Sequence, residues 1–415
     1  MTAIALSQNE QLGDKSEERK LFPIRKRTGT AAFHLSTDAV GFGQEDLDKL
    51  SEKEAVLLLA EAQWGSTTLM PCPHCGTVDT HYWTYVELRW KCKCCDKRFS
   101  VTSNTVFADH KLPIKKILKI ALSWANAAAG EPALKLRRDW NVAYATVFTL
   151  LHKLREGLVR GFNTGAMAGV HEMDGMDVNG RRYKEKRNKT RGSTSKGAPK
   201  VPEHLLKPPT GQELVGPPKP VKFDKKAQQH PDRRTMLVFT QRGVSEGKGA
   251  SATRVAIAVH ESGDTVKSLA TKFGSTESVI MSDEDPSYAA FKGLFADHKT
   301  INHSEAYSDG NGVSNNLAES FNARVRRLVE GTYLAISTKY LSSYTVEAAW
   351  RTDTRKLAPG DKLTHLFRFA LSVGPSRWFR GYTHGHHRKV ELLVEGAMPA
   401  PGRGRQPGWK PKVPR

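Results

Sequence analysis

Five cysteines lie between Cys72 and Cys95, and there are no others among the 415 residues. Cys72-Pro73-His74-Cys75 and Cys92-Lys93-Cys94-Cys95 form two C-x2-C knuckles separated by sixteen residues. That spacing sets four thiolates tetrahedrally around Zn²⁺, and a segment so short and poor in aliphatic residues needs the metal to fold. Cys72, Cys75, Cys92 and Cys95 are the expected ligands, with Cys94 and His74 as the alternatives beside them. A second chemistry is written in acids. Asp174 follows the run Val170-His171-Glu172-Met173, Asp283 terminates Ser278-Val279-Ile280-Met281-Ser282, and Glu319 sits in Asn316-Leu317-Ala318-Glu319-Ser320. In a chain of net charge +21, three carboxylates on separate elements suit two Mg²⁺ or Mn²⁺ ions. Such ions prefer hard oxygen ligands and stabilise the attacking and leaving oxygens of an in-line phosphoryl displacement.

These residues need elements to carry them. At about 100° per residue, Leu317, Phe321, Val325 and Leu328 form one helical stripe, with Glu319, Asn322 and Arg326 on the other face. Asn316 three residues before Glu319 also fits a capping box, in which the carboxylate would serve only the helix's own N–H groups. Val170–Asp174 reads as a strand running into a loop, with Glu172 and Asp174 on one face. Thr235–Thr240 and Thr253–Val259 read as an antiparallel pair, Asp264–Phe273 as a helix, and Ser278–Asp283 as a buried strand leading to a short helix at Pro286. The pattern predicts an α/β fold, a mixed sheet with acids at strand ends. Upstream, Ser51-Glu52-Lys53-Glu54 opens a capped helix. Ile114, Ile117, Leu118, Ala121, Leu122 and Trp124 define another, with Gly130 as its stop. A short helix Ala133–Arg138, a turn at Trp140-Asn141 and a helix carrying Val147, Leu151, Leu154 and Leu158 read as helix-turn-helix, with Lys135, Arg137, Arg138, Lys153 and Arg155 available to DNA; a plain helical hairpin is the alternative.

The net charge and a pI near 9.7 point to a polyanionic partner. The absence of any eighteen-residue apolar run or signal-peptide core favours nucleic acid over a membrane. Cysteines confined to one metal site fit a reducing cytoplasm, with nucleoid association on binding DNA. Residues 181–234 hold sixteen Lys and Arg against five Asp and Glu, with eight prolines, and read as a basic disordered insertion. The expected organisation is a flexible arm (1–44), a packing helix (45–66), a zinc ribbon (67–106), a helix-turn-helix region (107–165), a catalytic domain (166–352) containing that insertion, a C-terminal helix (353–376) and a basic flexible tail (377–415). Glu347 is a minor candidate for a fourth acid, its i,i+4 neighbour Arg351 suggesting a structural pair instead.

From about Trp64 to Tyr344 the sequence resembles insertion-sequence transposases that join an N-terminal zinc ribbon to an RNase H-like DDE catalytic domain, specifically the ISXO-like branch. The resemblance is carried by the Cys-Pro-His-Cys-Gly knuckle, Trp90-Lys91-Cys92, Phe99-Ser100, Lys111-Leu112-Pro113 and Leu151-His152-Lys153-Leu154-Arg155. It continues through Glu172-Met173-Asp174, Ser282-Asp283 with Tyr288, Ile301-Asn302-His303-Ser304, Asn316-Leu317-Ala318-Glu319-Ser320 and Gly331-Thr332-Tyr333. It implies that Asp174, Asp283 and Glu319 are the catalytic, magnesium-holding triad and that Arg326 is the basic residue seven places after the last acid. The sequence departs from the family after the first acid, where Gly175-Met176-Asp177 makes Asp177 a rival. Arg324, Arg326 and Arg327 are suited to gripping phosphates, and His303 to orienting a nucleophile or leaving group. The implied activity is end binding, strand cleavage and transfer of the freed 3′-hydroxyl into double-stranded target DNA, by at least a dimer. The competing expectations are a domesticated, non-catalytic DNA-binding protein and a metal nuclease without strand transfer.

Overall fold

The computed structural model describes residues 33–178, 233–243, 249–301, 313–334, 336–394 and 396–399. His303 and nearly all of the basic 181–234 segment lie outside them. Helices α1 (Gln44–Lys49) and α2 (Glu52–Trp64) lead into five short ribbon strands: β1 (Met70–Pro71), β2 (Val78–Asp79), β3 (Tyr82–Thr84), β4 (Arg89–Lys91) and β5 (Arg98–Phe99). Then come α3 (Ile114–Asn126), α4 (Ala133–Asp139) and α5 (Tyr144–Gly157). The second half contains β6 (Val170–Val178), β7 (Arg234–Arg242), β8 (Ala250–Ala258), α6 (Gly263–Phe273), β9 (Val279–Asp283), β10 (Asp297–Ile301), α7 (Asn316–Arg327), α8 (Thr338–Asp353) and α9 (Pro359–Ser372). It closes with β11 (Val390–Leu393) and β12 (Gly396–Pro399).

The α2 start is the capping box its sequence spells: Ser51 Oγ accepts the Glu54 N–H at 3.3 Å, and the Glu54 carboxylate accepts the Ser51 N–H at 2.7 Å. α3 buries Ile114, Ile117, Leu118, Ala121, Leu122 and Trp124 as its periodicity predicts, but it ends at Asn126, short of Gly130. Gly130 has another use: at φ +82°, a Cβ there would collide with the Tyr333 hydroxyl.

The large sheet runs β10-β9-β6-β7-β8; β6, β7 and β8 are antiparallel neighbours, while β9 is parallel to both β6 and β10. Alternation divides its side chains between two cores. Met176, Val178, Met236, Val238, Val255 and Ile257 join the core built by the helices, and Met173, Leu237, Phe239 and Ala258 pack with Val266, Leu269 and Phe273 of α6. β6 continues past Asp174 to Val178, because its pairing with β7 runs through to Val178 opposite Arg234. The first acid therefore sits within a strand, not at the strand end its sequence suggested.

The stretch from Arg377 was expected to be a flexible tail, yet it is folded as far as Pro399. Phe379 stacks on His152 at 4.8 Å, Val394 donates its N–H to the Ile257 carbonyl on the edge strand β8 at 2.8 Å, and Glu391 takes Arg234 bidentately at 2.8 Å. These partners lie far away in sequence, which hides them from composition.

A buried polar cluster fastens the helical half to the sheet half. Glu347 of α8 pairs with Arg351, as the i,i+4 spacing suggests, and also with Arg155 of α5 at 2.8 Å. Tyr333, just beyond α7, accepts from Arg155 at 3.1 Å and donates to Glu347 at 2.9 Å. Arg351 also donates to the carbonyls of Trp124, Ala125 and Ala127 at the end of α3, where a cation is favoured by the helix dipole. Every charge in this cluster is hydrogen-bonded, as burial requires.

Candidate active site

The ribbon's metal site can be checked against coordination geometry. A tetrahedron with Zn–S of about 2.3 Å has S···S edges of about 3.8 Å. Cys72 and Cys95 Sγ are 3.7 Å apart, Cys75 and Cys92 Sγ are 3.6 Å apart, and all four lie within 4.8 Å of one another. The donor set fits Zn²⁺. His74 and Cys94 are exposed and outside the group; the Cys94 N–H instead points at Cys92 Sγ, at 3.4 Å. The knuckles are alike in backbone: Gly76 at φ +78° and Asp96 at φ +59° return their N–H groups to the carbonyls of Cys72 and Cys92. Trp90 stacks on Phe99 at 5.8 Å, and Trp64 of α2 meets Trp90 edge-on at 5.5 Å, tying the ribbon to the helices.

The acids are assembled by register. Glu172 of β6 lies beside Met281 of β9, so Asp174 and Asp283, each two residues further along parallel neighbours, share one face. α7 packs over β6 and β7, and Asn322 Nδ2 donates to Asp174 Oδ2 at 2.7 Å. Glu319, one turn earlier on α7, falls on the same side. Burial above all, then the charges of Asp283, Glu261 and Glu319, push the Asp174 carboxyl up to about 7. A carboxyl strained in this way is one that a cation relieves. Among the described residues, the four cysteines are the group whose ligand atoms lie close enough together to hold a single ion.

Three participants were not assigned from sequence. Glu261, in the loop after β8, packs its carboxylate where a Cβ on Gly175 would be and accepts the Tyr288 hydroxyl at 2.7 Å. Gly175 is what allows this acid to approach. Asn322 is buried rather than solvent-facing, with Ala318 sharing the inner stripe more fully than Leu317. Glu172 performs the capping that Asn316 and Glu319 were candidates for. It is 1 % exposed, and its carboxylate accepts the N–H groups of Leu317 at 2.6 Å and Ala318 at 3.3 Å. Arg242 of β7 binds the same carboxylate at 2.7 Å and Ser314 Oγ at 2.6 Å. Asn315, not Asn316, is the N-cap residue, and its side chain makes no capping bond.

The Glu172–Arg242 clamp fixes where α7, and hence Glu319, meets the sheet. Glu172→Ala removes the carboxylate facing Arg242 and the acceptor of two helix N–H groups, and is expected to lower unfolding free energy by about 3 kcal/mol, with Glu172→Gln losing less. Urea denaturation checks this; a loss below about 1 kcal/mol, the scale of an exposed pair, would mean that the clamp carries little.

Asp177, three residues from Asp174, faces the opposite side of β6, where Thr235 Oγ1 donates to it at 3.1 Å and Arg233 pairs with it. It does not join the other acids. Arg324, Arg326 and Arg327 are exposed along α7. Lys135, Arg137 and Arg138 are exposed on α4, with Lys135 held between Glu131 and Asp139 at 2.5 and 2.6 Å. α5 has Tyr144 at the surface, but Val147, Leu150, Leu151, Leu154 and Arg155 are in the core, so only its first turn is open to a ligand.

Two family models match the chain. Residues 210–353 match the ISXO2-like transposase domain, and residues 50–98 match the transposase zinc-ribbon domain. The first span contains Asp283 and Glu319 and begins after Asp174. No curated protein and no solved structure matches. The two matches bear out the resemblance to a DDE transposase with an N-terminal zinc ribbon. No helix among the described residues is long and apolar enough to cross a membrane.

Proposed function

We propose that this insertion-sequence transposase, an ISXO2-like transposase domain behind a zinc ribbon, binds the ends of its element and catalyses metal-dependent strand cleavage and strand transfer into target DNA. The reading is carried by the register of β6 and β9, in which Asp174 and Asp283 each follow the Glu172–Met281 pair by two residues, and is supported by the charges of Asp283 and Glu319 acting on the buried Asp174 carboxyl. The strand order supports an RNase H-like reading of the domain: three antiparallel strands in the order third, second, first, followed by a fourth parallel to the first and a fifth parallel to the fourth.

Asp174, Asp283 and Glu319 would hold two Mg²⁺ or Mn²⁺ ions. Bound there, the ions supply Lewis-acid activation of the attacking oxygen and charge relief at the leaving one. The chain's own contribution is position. The register of β6 and β9 fixes the two aspartates, Asn322 orients one Asp174 oxygen, and the Glu172–Arg242 clamp sets the height of Glu319. Arg326 and Arg327, on the exposed side of α7, neutralise backbone phosphates approaching the acids. His303 is retained as a candidate for orienting the nucleophile. The zinc ribbon and the α4–α5 pair, with Lys135, Arg137 and Arg138, are assigned to end recognition. Because cleavage at two ends precedes joining, the working form is at least a dimer on DNA.

The test is incubation of purified protein with labelled candidate end duplexes, Mg²⁺ and a plasmid target. Joined product is the expected result. Nicked ends without joining would reduce the function to a nuclease, and stable binding without either would make it a DNA-binding protein alone.

A further inference from the structure

Glu261 occupies a position that its structural partners alone do not account for. It lies between the end of β8 and the start of α6, half-buried, and its carboxylate fills the space of the side chain that Gly175 lacks. A Cβ at Gly175 would collide with both carboxylate oxygens, so this acid can approach β6 only because a glycine stands there. Pairing between β6 and β9 ends at Glu172–Met281. Gly175 lies beyond that point, next to Asp174, where the β9 ladder has stopped. Tyr288, 1 % exposed and packed with Phe291 in the core beneath α6, fixes the carboxylate by donating its hydroxyl to Oε1 at 2.7 Å.

The surroundings of Glu261 are acidic. Burial raises its carboxyl most, the Tyr288 hydrogen bond opposes the rise, and the charges of Asp285 and Asp283 add to it. Its own charge in turn acts on the buried Asp174 carboxyl. Among the described residues, no lysine, arginine or histidine pairs with it. If Glu261 served only to accept the Tyr288 hydroxyl, a neutral acceptor would do so without the repulsion. A negative charge held here costs stability in the ion-free protein, and a cation among the acids restores it. That balance marks a charge kept for an ion rather than for the fold.

We propose that Glu261 supplies a fourth negative charge to the divalent-cation site of Asp174, Asp283 and Glu319, placed there by Gly175 and Tyr288. The inference rests on the metal-dependent reading of those three acids. It adds a positioning residue that raises the site's affinity through the field at the ion, which suits a Mg²⁺ that keeps several of its waters.

The test titrates Mn²⁺, read by electron paramagnetic resonance, into the full-length, zinc-loaded protein, and measures thermal unfolding without added divalent ion. Glu261→Gln keeps the acceptor for Tyr288 and removes the charge. It is expected to bind Mn²⁺ about tenfold more weakly and yet to raise the ion-free unfolding midpoint by about 2 °C. Glu261→Asp keeps the charge on a shorter stem, and is expected to hold Mn²⁺ within about threefold of the unaltered protein. A residue kept for the Tyr288 bond alone would give the reverse order, glutamine silent and aspartate harmful, and that result overturns the proposal. So does an ion-free midpoint that falls in Glu261→Gln. Asp283→Asn separates the two readings. If it loses Mn²⁺ while Glu261→Gln does not, the fourth charge falls and the three-acid site stands; if the unaltered protein takes up no more Mn²⁺ than Asp283→Asn, both fall. A kinetic arm makes the same division: Glu261→Gln should need about tenfold more Mg²⁺ for half-maximal cleavage and reach a maximal rate within about threefold of the unaltered protein.

Discussion

Asp283→Asn is expected to abolish Mg²⁺-dependent strand cleavage while leaving DNA binding unchanged. The asparagine preserves shape but removes one of the two charges that follow the last β6–β9 pair, Glu172–Met281, and act on one another. Weakened metal holding at a phosphoryl-transfer site forfeits several kcal/mol of transition-state stabilisation. At 1.36 kcal/mol per factor of ten, about 4 kcal/mol corresponds to a rate loss on the order of a thousandfold. The companion variant Asp177→Asn is expected to cleave within about twofold of the unaltered protein, an energy difference of a few tenths of a kcal/mol, because that side chain faces away from Asp174 and serves Thr235 and Arg233. Gel assays of nicking and electrophoretic binding on the same preparations separate the two effects. Full cleavage by Asp283→Asn would falsify the two-metal assignment, and loss of cleavage in Asp177→Asn would transfer the first acid's role to the rival.

The second large effect is expected from the ribbon. Its strands are two or three residues long, and its buried apolar residues are few: Met70, Cys72, Trp90, Cys92, Phe99, Val101 and Val106, the last two packed with the helices. So small a core cannot offset the conformational entropy of ordering the segment, and binding energies of about 10–16 kcal/mol for structural zinc supply the difference. Chelation, or Cys92→Ser at a wholly buried ligand, is therefore expected to unfold residues 67–106 while the sheet half stays folded. The near-UV signal of Trp83 and Trp90 should collapse, protease should cut within the segment, and end binding should fail. A ribbon that kept its protease resistance after measured zinc release would show that the thiolates hold no structural ion.

Local chemistry was legible in the sequence wherever partners are close along the chain. The zinc ligands, the Ser51–Glu54 cap, the β7–β8 pair and the amphipathic α7 all announce themselves within a few turns or strands. The acid site was legible as a set of residues but not as an assembly. Asp174 reads as a strand end because the basic segment hides the partner that extends β6, Arg234. Glu172 escaped notice as a cap because it serves a helix that begins 144 residues later, and capping rules look only to adjacent residues. Glu261 has no motif at all; it enters through the vacancy at Gly175, which only the folded loop reveals. The folding of residues 377–399 depends on Arg234, Ile257 and His152, contacts no compositional window can contain.

The Arg155–Glu347–Tyr333–Arg351 cluster has a consequence for inheritance. A chimera joined between α5 and β6, pairing this recognition half with another chain's catalytic half, would leave Arg155 buried without its carboxylate unless the incoming half restored position 347. Burying an unpaired charge costs about 3–5 kcal/mol, a large share of the stability of an ordinary domain. Under the proposed function, the half assigned to end recognition and the half assigned to cleavage are thus obliged to change together, so new end specificity is expected to arise by substitution at exposed positions such as Arg137 and Arg138 rather than by exchange of whole modules.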